Sequence, residues 1–158
     1  MKHVLDWTGL EYAYIREVAA MYALRGCPSI AQMKGFDPIK GDIFMDVAQC
    51  DLVEWRSTLP RRPTQYIIRP IMKQIETGLI AIHKKGIWHR DIKLENFLVY
   101  LNGDGETPNI RISDFGLSIT TPNRFVPATN PVYTLSYRAP EKCTLYIMEF
   151  PKGSHAYI

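Results

Sequence analysis

Hydrophobic residues recur every three or four positions in two stretches of the chain, the spacing that predicts amphipathic helices. The first predicted helix, residues 10–24, follows the breaker pair Thr8-Gly9 and ends before Gly26. Its apolar stripe is Leu10, Tyr14, Val18, Met21 and Leu24. The second, residues 65–85, follows the N-cap candidate Thr64 and ends at Gly86, a residue that readily takes the positive φ found after helices. Its stripe is Ile68, Ile71, Met72, Ile75, Leu79 and Ile82.

Shorter apolar runs between polar turns predict strands. Residues 30–36 and 41–47 flank the turn pair Asp37-Pro38 and read as a hairpin, and residues 97–101 and 109–112 flank a second turn. A short helix is predicted from Asp51, whereas three prolines argue against a helix in residues 120–137. The pattern predicts a mixed α+β domain without internal repeats.

Three polar motifs lie among these elements. His89-Arg90-Asp91 is followed five residues later by Asn96, then by Asp114-Phe115-Gly116, and finally by Ala139-Pro140-Glu141. In this order and with these gaps the motifs resemble those of the protein kinase family. The alternative is that these are ordinary turn residues brought into register by chance.

The resemblance implies a role for each polar residue of the loop. Asp91 would orient the hydroxyl that accepts the phosphoryl group, Asn96 and Asp114 would hold Mg²⁺, and Lys93 would steady the transferred group. A lysine two residues after the aspartate resembles serine/threonine kinases, which implies protein substrates with Ser or Thr and ATP as the phosphoryl donor.

Two further segments resemble the cyclin-dependent kinase group, namely residues 15–18, like its regulatory helix, and residues 133–141, like the end of its activation segment. The first implies that Glu17 pairs a nucleotide-orienting lysine, for which Lys2 is the candidate, and that a regulatory protein binds the helix at residues 10–24. Considered alone, Glu17 is more typical of a solvated helix face.

The same resemblance implies regulatory and substrate-facing residues. Thr129 is at the position of the activating phosphorylation, Arg90 and Arg16 are its candidate phosphate partners, and Thr134 would face Asp91 and Lys93. Ile119 stands where a third basic partner is expected.

Nucleotide-binding positions follow by the same resemblance. Residues 45–48 would form the hinge beneath adenine, with Asp46 and Ala48 supplying backbone contacts, and Asp51 would reach the ribose. A strand end followed by a helix cap is the equally supported alternative for these residues.

Composition narrows the class of protein. The 158 residues are 46% hydrophobic and 22% charged, with a formal net charge of +3 spread along the chain, so neither nucleic-acid nor membrane binding is expected. Three cysteines without metal-ligand spacing, and no secretory signal, indicate a soluble intracellular protein.

Departures from the kinase pattern shape the expected architecture. The sequence has no G-x-G-x-x-G run, and the resemblance fades after Glu141. We therefore expect a partial protein-kinase-like α+β fold that is truncated at both ends. Its parts are a small-lobe remnant at about residues 1–50, the catalytic loop and activation segment at about 51–142, and a divergent tail at 143–158.

The expected function is that of a serine/threonine kinase-like protein with little or no activity of its own. The alternatives are a non-catalytic binding or regulatory module and a gene fragment. Apolar surface left exposed on the second helix would also favour self-association.

Overall fold

The computed structural model describes residues 7–100 and 108–121 together with Tyr137, and the side chains from Tyr12 onward. These residues form three α-helices, one 3₁₀ turn and seven short strands. In chain order the elements are α1 (Trp7–Ala23), β1 (Met33–Asp37), β2 (Asp42–Met45), β3 (Cys50–Asp51), α2 (Leu52–Thr58), α3 (Gln65–Lys84), β4 (Ile87–Trp88), the 3₁₀ turn (Leu94–Asn96), β5 (Phe97–Tyr100), β6 (Asn109–Ile112) and β7 (Ile119–Thr120). The predicted α+β class is confirmed.

The first helix begins earlier than predicted. Thr8 and Gly9 lie inside α1, so the prediction that they break the chain before the helix was wrong. An interior glycine costs about 1 kcal/mol relative to alanine, which packing of the rest of a helix outweighs. Met21 is buried, while Tyr12 and Tyr22 on the outer face are exposed.

The predicted hairpin is present as the antiparallel pair β1 and β2. Its turn is stabilised by the carboxylate of Asp37, whose Oδ1 accepts hydrogen bonds from the backbone N–H of Ile39 at 2.9 Å and of Lys40 at 3.1 Å. A side chain that accepts from the residues following it is the reason that aspartate favours turns.

A second, three-stranded antiparallel sheet has the strand order β3-β5-β6. Helix α3 lies against β6 so closely that a Cβ at Gly78 would be 2.7 Å from Cδ1 of Ile112. Gln74 of α3 also bonds the start of β6: its Nε2 donates to the carbonyl of Pro108 at 3.0 Å, and its Oε1 accepts from the N–H of Ile110 at 2.8 Å. The helix and the sheet are thereby fixed in register.

Helix α3 has nearly the predicted bounds. Thr64 is its N-cap residue without a side-chain capping bond, and Gly86 follows its end with φ of 67°. A Cβ at Gly86 would lie 2.6 Å from the carbonyl oxygen of Thr121, so both the conformation and the space require glycine. Ile68 and Met72 of the predicted stripe are exposed rather than buried.

The core lies where α1, α3 and the three-stranded sheet meet. Its fully buried members are Ile30, Ile43, Ile82, Ile87, Val99, Ile110, Ile112 and Phe115. Ile30 also forms an isolated parallel bridge with Ile112, which attaches the segment after α1 to β6. Ile112 at the end of β6 is therefore held by β5 on one side and by this segment on the other.

Candidate active site

The loop between β4 and β5 presents its polar residues through an unusual backbone turn. Arg90 has φ of 70°, in the left-handed region that non-glycine residues seldom adopt. Such conformations persist only when the surrounding contacts hold them. Asp91 follows directly and is 7% exposed. The segment that starts at Asp91 ends with the 3₁₀ turn at Asn96.

The carboxylate of Asp91 is held by two side chains of its own loop. Nδ2 of Asn96 donates to the backbone carbonyl of Asp91 at 2.7 Å and to its Oδ2 at 3.0 Å. Nζ of Lys93 lies 2.8 Å from the same Oδ2. The hydrogen bond with Asp91 raises the pKa of Lys93, so the ammonium stays charged. Two of the residues that the kinase resemblance singled out, Lys93 and Asn96, thus meet at the carboxylate of the third, Asp91.

His89 connects this loop to the next one. It is buried, and its Nε2 lies 2.8 Å from the carbonyl of Ser113, while its Nδ1 accepts from the N–H of Asp91 at 3.3 Å. This pair of bonds assigns the proton to Nε2, which donates it to the carbonyl. Burial lowers the pKa of His89, which favours the neutral ring. The ring also packs on Phe115, with centroids 4.8 Å apart.

Asp114 is brought beside Asn96 by Ser113. The N–H of Ser113 donates to the carbonyl of Asn96 at 2.9 Å, and its hydroxyl donates to the same oxygen at 3.1 Å. Asp114 then takes φ of 63°, and Phe115 is fully buried. The two candidate metal ligands therefore lie on adjoining backbone segments joined by direct hydrogen bonds.

The donor set suits a magnesium ion. Because Nδ2 of Asn96 bonds Asp91, Oδ1 is the atom of this side chain that would bind a cation, and Asp114 would add a carboxylate. The described residues contain no cluster of three or more His, Cys, Asp or Glu that could hold a metal ion. Mg²⁺ commonly takes only one or two carboxylates and completes its shell with water and phosphate oxygens, so the residues present fit it.

The segment predicted as the hinge, residues 45–48, consists of Met45 at the end of β2 and the first three residues of the connection 46–49 to β3. The N–H of Gln49 donates to the carbonyl of Val99 at 3.0 Å, which pins the segment to the three-stranded sheet. Oδ1 of Asp51 accepts from the N–H groups of Val53 and Glu54, both at 2.8 Å, and so caps α2. The helix-cap alternative is therefore present, and the ribose contact of Asp51 stays a prediction.

The remaining predicted residues divide by position. Glu17 is 3% exposed, so the reading of a solvated position on α1 was wrong. Arg16 is exposed on α1, and Arg90 is half-buried in the catalytic loop. Lys2, Thr129 and Thr134 lie outside the described residues, as does the motif at residues 139–141.

Two features of the site escaped the sequence reasoning. The Ser113 bridge has a weak signal, namely a small hydroxyl directly before Asp114. Asp46 also makes side-chain ion pairs, which no local pattern could indicate because the partners lie on distant strands. In the part of the chain that the structure describes, no helix is long and apolar enough to cross a membrane.

Comparison of the sequence with known proteins identifies the family of this chain. Residues 3–149 match the family model described as protein kinase domain. Mouse cyclin-dependent kinase 10 is 31% identical over 139 residues, covering 84% of this chain and 36% of that protein. Cyclin-dependent kinase C-2 C of Arabidopsis thaliana is 34% identical over 119 residues, covering 72% and 18%.

A rice protein, putative cyclin-dependent kinase F-2, is 44% identical over 73 residues, which are 46% of this chain and 21% of the rice protein. The chain thus spans 36% or less of the length of these three relatives. Because the family model covers nearly all of its residues, the chain belongs to the protein kinase family, serine/threonine type, with cyclin-dependent kinases among its relatives.

Proposed function

We propose that this chain forms the catalytic centre of a serine/threonine protein kinase that transfers the terminal phosphoryl group of ATP to protein hydroxyls. The observation that carries the proposal is that an ion pair and a hydrogen bond hold one carboxylate: Oδ2 of Asp91 lies 2.8 Å from Nζ of Lys93 and 3.0 Å from Nδ2 of Asn96. The carboxylate is buried, oriented and next to a fixed positive charge.

Asp91 would accept a hydrogen bond from the attacking hydroxyl and receive its proton. Phosphoryl transfer depends mainly on positioning and electrostatic stabilisation, and well-oriented placement alone can be worth about 7–11 kcal/mol. The bonds to Asn96 and Lys93 supply that placement, because they fix the carboxylate before any substrate arrives. Lys93 would also bring positive charge to the place where the phosphoryl group passes, and Thr134 would face both residues.

Asn96 and Asp114 would hold the magnesium ion, which when bound offsets charge on the phosphates of ATP. The backbone of Asp46 and Ala48 would meet the adenine, and Asp51 would contact the ribose. Glu17 would pair Lys2 near the phosphates, and the burial of Glu17 supports a role for it other than contact with water.

Regulation would act through α1 and the segment after β7. Tyr12, Ile15 and Tyr22 are exposed by 70%, 54% and 61%, and they follow one another at intervals of three and seven residues along the helix. Such an apolar face supports binding of a regulatory protein, and it would serve the non-catalytic alternative equally. Thr129 would be the phosphorylation site, with Arg90 and Arg16 as its partners.

We further propose that the protein is intracellular and that it self-associates through α3. Cys27 and Cys50 are free thiols, as in a reducing compartment. Ile68 and Met72 are 39% and 55% exposed on α3. Sedimentation velocity tests this part: we expect Met72→Lys to reduce concentration-dependent association, and a wild-type monomer at all concentrations would contradict it.

Titration with ATP, with and without Mg²⁺, tests nucleotide binding. We expect weak binding that requires the metal, because the sequence has no glycine-rich phosphate loop. Asp114→Asn should remove the metal dependence. Glu76→Gln is the matched control, since it neutralises an exposed carboxylate of α3 paired with Lys73. Tight, metal-independent binding would refute the roles of Asn96 and Asp114.

A radiolabelled transfer assay on serine and threonine peptides tests the chemistry. We expect little incorporation by the 158-residue chain, lost altogether in Asp91→Asn and Asp114→Asn and retained in Glu76→Gln. Incorporation that persists in Asp91→Asn would refute the proposed role of this carboxylate. No incorporation together with no binding of ATP would instead favour the non-catalytic alternative.

A further inference from the structure

Asp46 joins three parts of the fold at the connection between the hairpin and the three-stranded sheet. Its Oδ1 lies 3.2 Å from Nζ of Lys34 on β1, and its Oδ2 lies 3.8 Å from Nη1 of Arg111 on β6. Its backbone carbonyl accepts from the hydroxyl of Tyr100 on β5 at 3.4 Å. One residue thus contacts both sheets through its side chain and its main chain.

The partners on the three-stranded sheet support each other. The guanidinium of Arg111 lies over the ring of Tyr100, 4.4 Å from its centroid, and the Arg111 side chain is only 23% exposed. A cation held on an aromatic face has lost much of its conformational freedom, so an ion pair with it costs less entropy than one between two mobile side chains. Lys34, at 59% exposed, is the weaker partner.

These contacts lie at one end of the connection between β2 and β3, residues 46–49, which contains most of the predicted hinge. The other end is already fixed, because the N–H of Gln49 donates to Val99 and β3 pairs with β5. Between the two anchors only Val47 and Ala48 remain, and Val47 is 90% exposed. Whatever position this short segment takes is therefore decided by Asp46 on one side and β3 on the other.

We propose that Asp46 is a positioning residue whose ion pairs with Lys34 and Arg111 fix the segment 46–49 and thereby set the backbone groups that receive adenine. This rests on the proposed function for its consequence, since nucleotide binding is what the fixed backbone would serve. The effect on the segment does not depend on the proposed function: residues 46–49 should open more readily when the carboxylate of Asp46 loses its charge.

Hydrogen exchange of the Gln49 amide measures that opening directly. Exposed ion pairs contribute little each, so we expect Asp46→Asn to accelerate exchange by about threefold, and Lys34→Gln by less. Combining both changes should accelerate exchange no more than Asp46→Asn alone. Lys73→Gln is the matched control, since it breaks an exposed 2.8 Å ion pair on α3 far along the chain from the segment.

Salt distinguishes the ion pairs from simple packing. At about 1 M NaCl the screening length falls to about 3 Å, so wild-type exchange should approach that of Asp46→Asn at low salt. Unchanged exchange in Asp46→Asn, or an acceleration that salt does not reproduce in the wild type, would overturn the proposal.

Binding of adenosine and of ATP with Mg²⁺ then tests the consequence. Asp46→Asn should weaken binding of adenosine and of ATP by the same factor, because only the backbone segment that contacts the base has moved. Asp46→Glu should recover part of the lost affinity. Equal affinities in wild type and Asp46→Asn would overturn the effect on adenine. A wild-type chain that binds neither ligand refutes the proposed function, and the exchange experiment still decides whether Asp46 fixes the segment.

Discussion

Replacing Asn96 by aspartate would put two carboxylates where a donor and an acceptor now meet. Asn96 is 4% exposed and Asp91 is 7% exposed, and Nδ2 lies 3.0 Å from Oδ2. The change removes a bond to a charged group, worth about 1.5–3 kcal/mol, and one to a backbone carbonyl, worth about 0.5–1.5 kcal/mol. Repulsion between the two buried charges adds to this loss, although Lys93 offsets part of it.

We therefore expect Asn96→Asp to lower the free energy of unfolding by about 3 kcal/mol at pH 8, a large share of the stability of a typical small domain. The sign of the pH dependence follows from the new carboxyl. Its pKa in the folded chain is raised above its unfolded value by the neighbouring charge, so the folded chain binds more protons. The deficit relative to the wild type should then grow as pH rises and shrink toward pH 5.

Urea denaturation of both chains at pH 5 and pH 8 measures this deficit. Gln65→Glu is the matched control, because it makes the same chemical change at an exposed position in the first turn of α3, where a negative charge is favourable. A deficit below about 1 kcal/mol at pH 8, or one that does not change with pH, would show that Asn96 does not hold Asp91 as described.

Three further outcomes are expected. Because burial lowers the pKa of His89, the unfolded chain binds a proton that the folded chain does not. Stability should therefore fall as pH drops below about 6.5, by at most about 1.4 kcal/mol per pH unit. NMR titration should give a midpoint for the ring below its ordinary value of 6.5, and a midpoint at or above 6.5 would contradict this. Gly78→Ala should destabilise the chain by about 1 kcal/mol in urea denaturation, since crowding of Ile112 outweighs the gain in helix propensity. Adding Ile112→Val should restore part of the lost stability. A Gly78→Ala chain that is more stable than the wild type would contradict the close approach of α3 to β6. Asp51→Ala should lower stability by about 1 kcal/mol through loss of the α2 cap. Calorimetry tests the proposed ribose contact of Asp51: if it exists, the same change should also weaken binding of ATP but leave binding of 2′-deoxy-ATP unchanged.

Local signals predicted the elements that depend on local chemistry. The bounds of α3 and the left-handed Gly86 follow from periodicity and from the one residue type that tolerates that conformation. The loop residues were identified through their resemblance to kinase motifs, and the separation of Asp91 and Asn96 in that motif corresponds to a segment that ends in one short 3₁₀ turn. In these cases the physical cause lies within a few residues of its effect.

Long-range contacts determined what the sequence could not indicate. The bond from His89 to Ser113 spans 24 residues, and the strands β4 and β7 have only two residues each, too few for a pattern. Glu17 is buried although it is charged, so the alternative of a solvated position, which rested on its polarity alone, was wrong. The start of α1 was misplaced because glycine is a weak breaker once the helix packs.

The two hydrogen bonds from Gln74 make the connection between β5 and β6 a place where the chain tolerates insertion. Pro108 and Ile110 are held by α3, and Tyr100 is paired with Asn109, so the strand ends that flank the connection are fixed without help from it. Doubling such a connection costs only about 0.6 kcal/mol in closure entropy. A fluorescent or affinity tag inserted there should leave the carboxylate of Asp91 undisturbed, because the loop that carries Asp91 lies at the opposite end of β5.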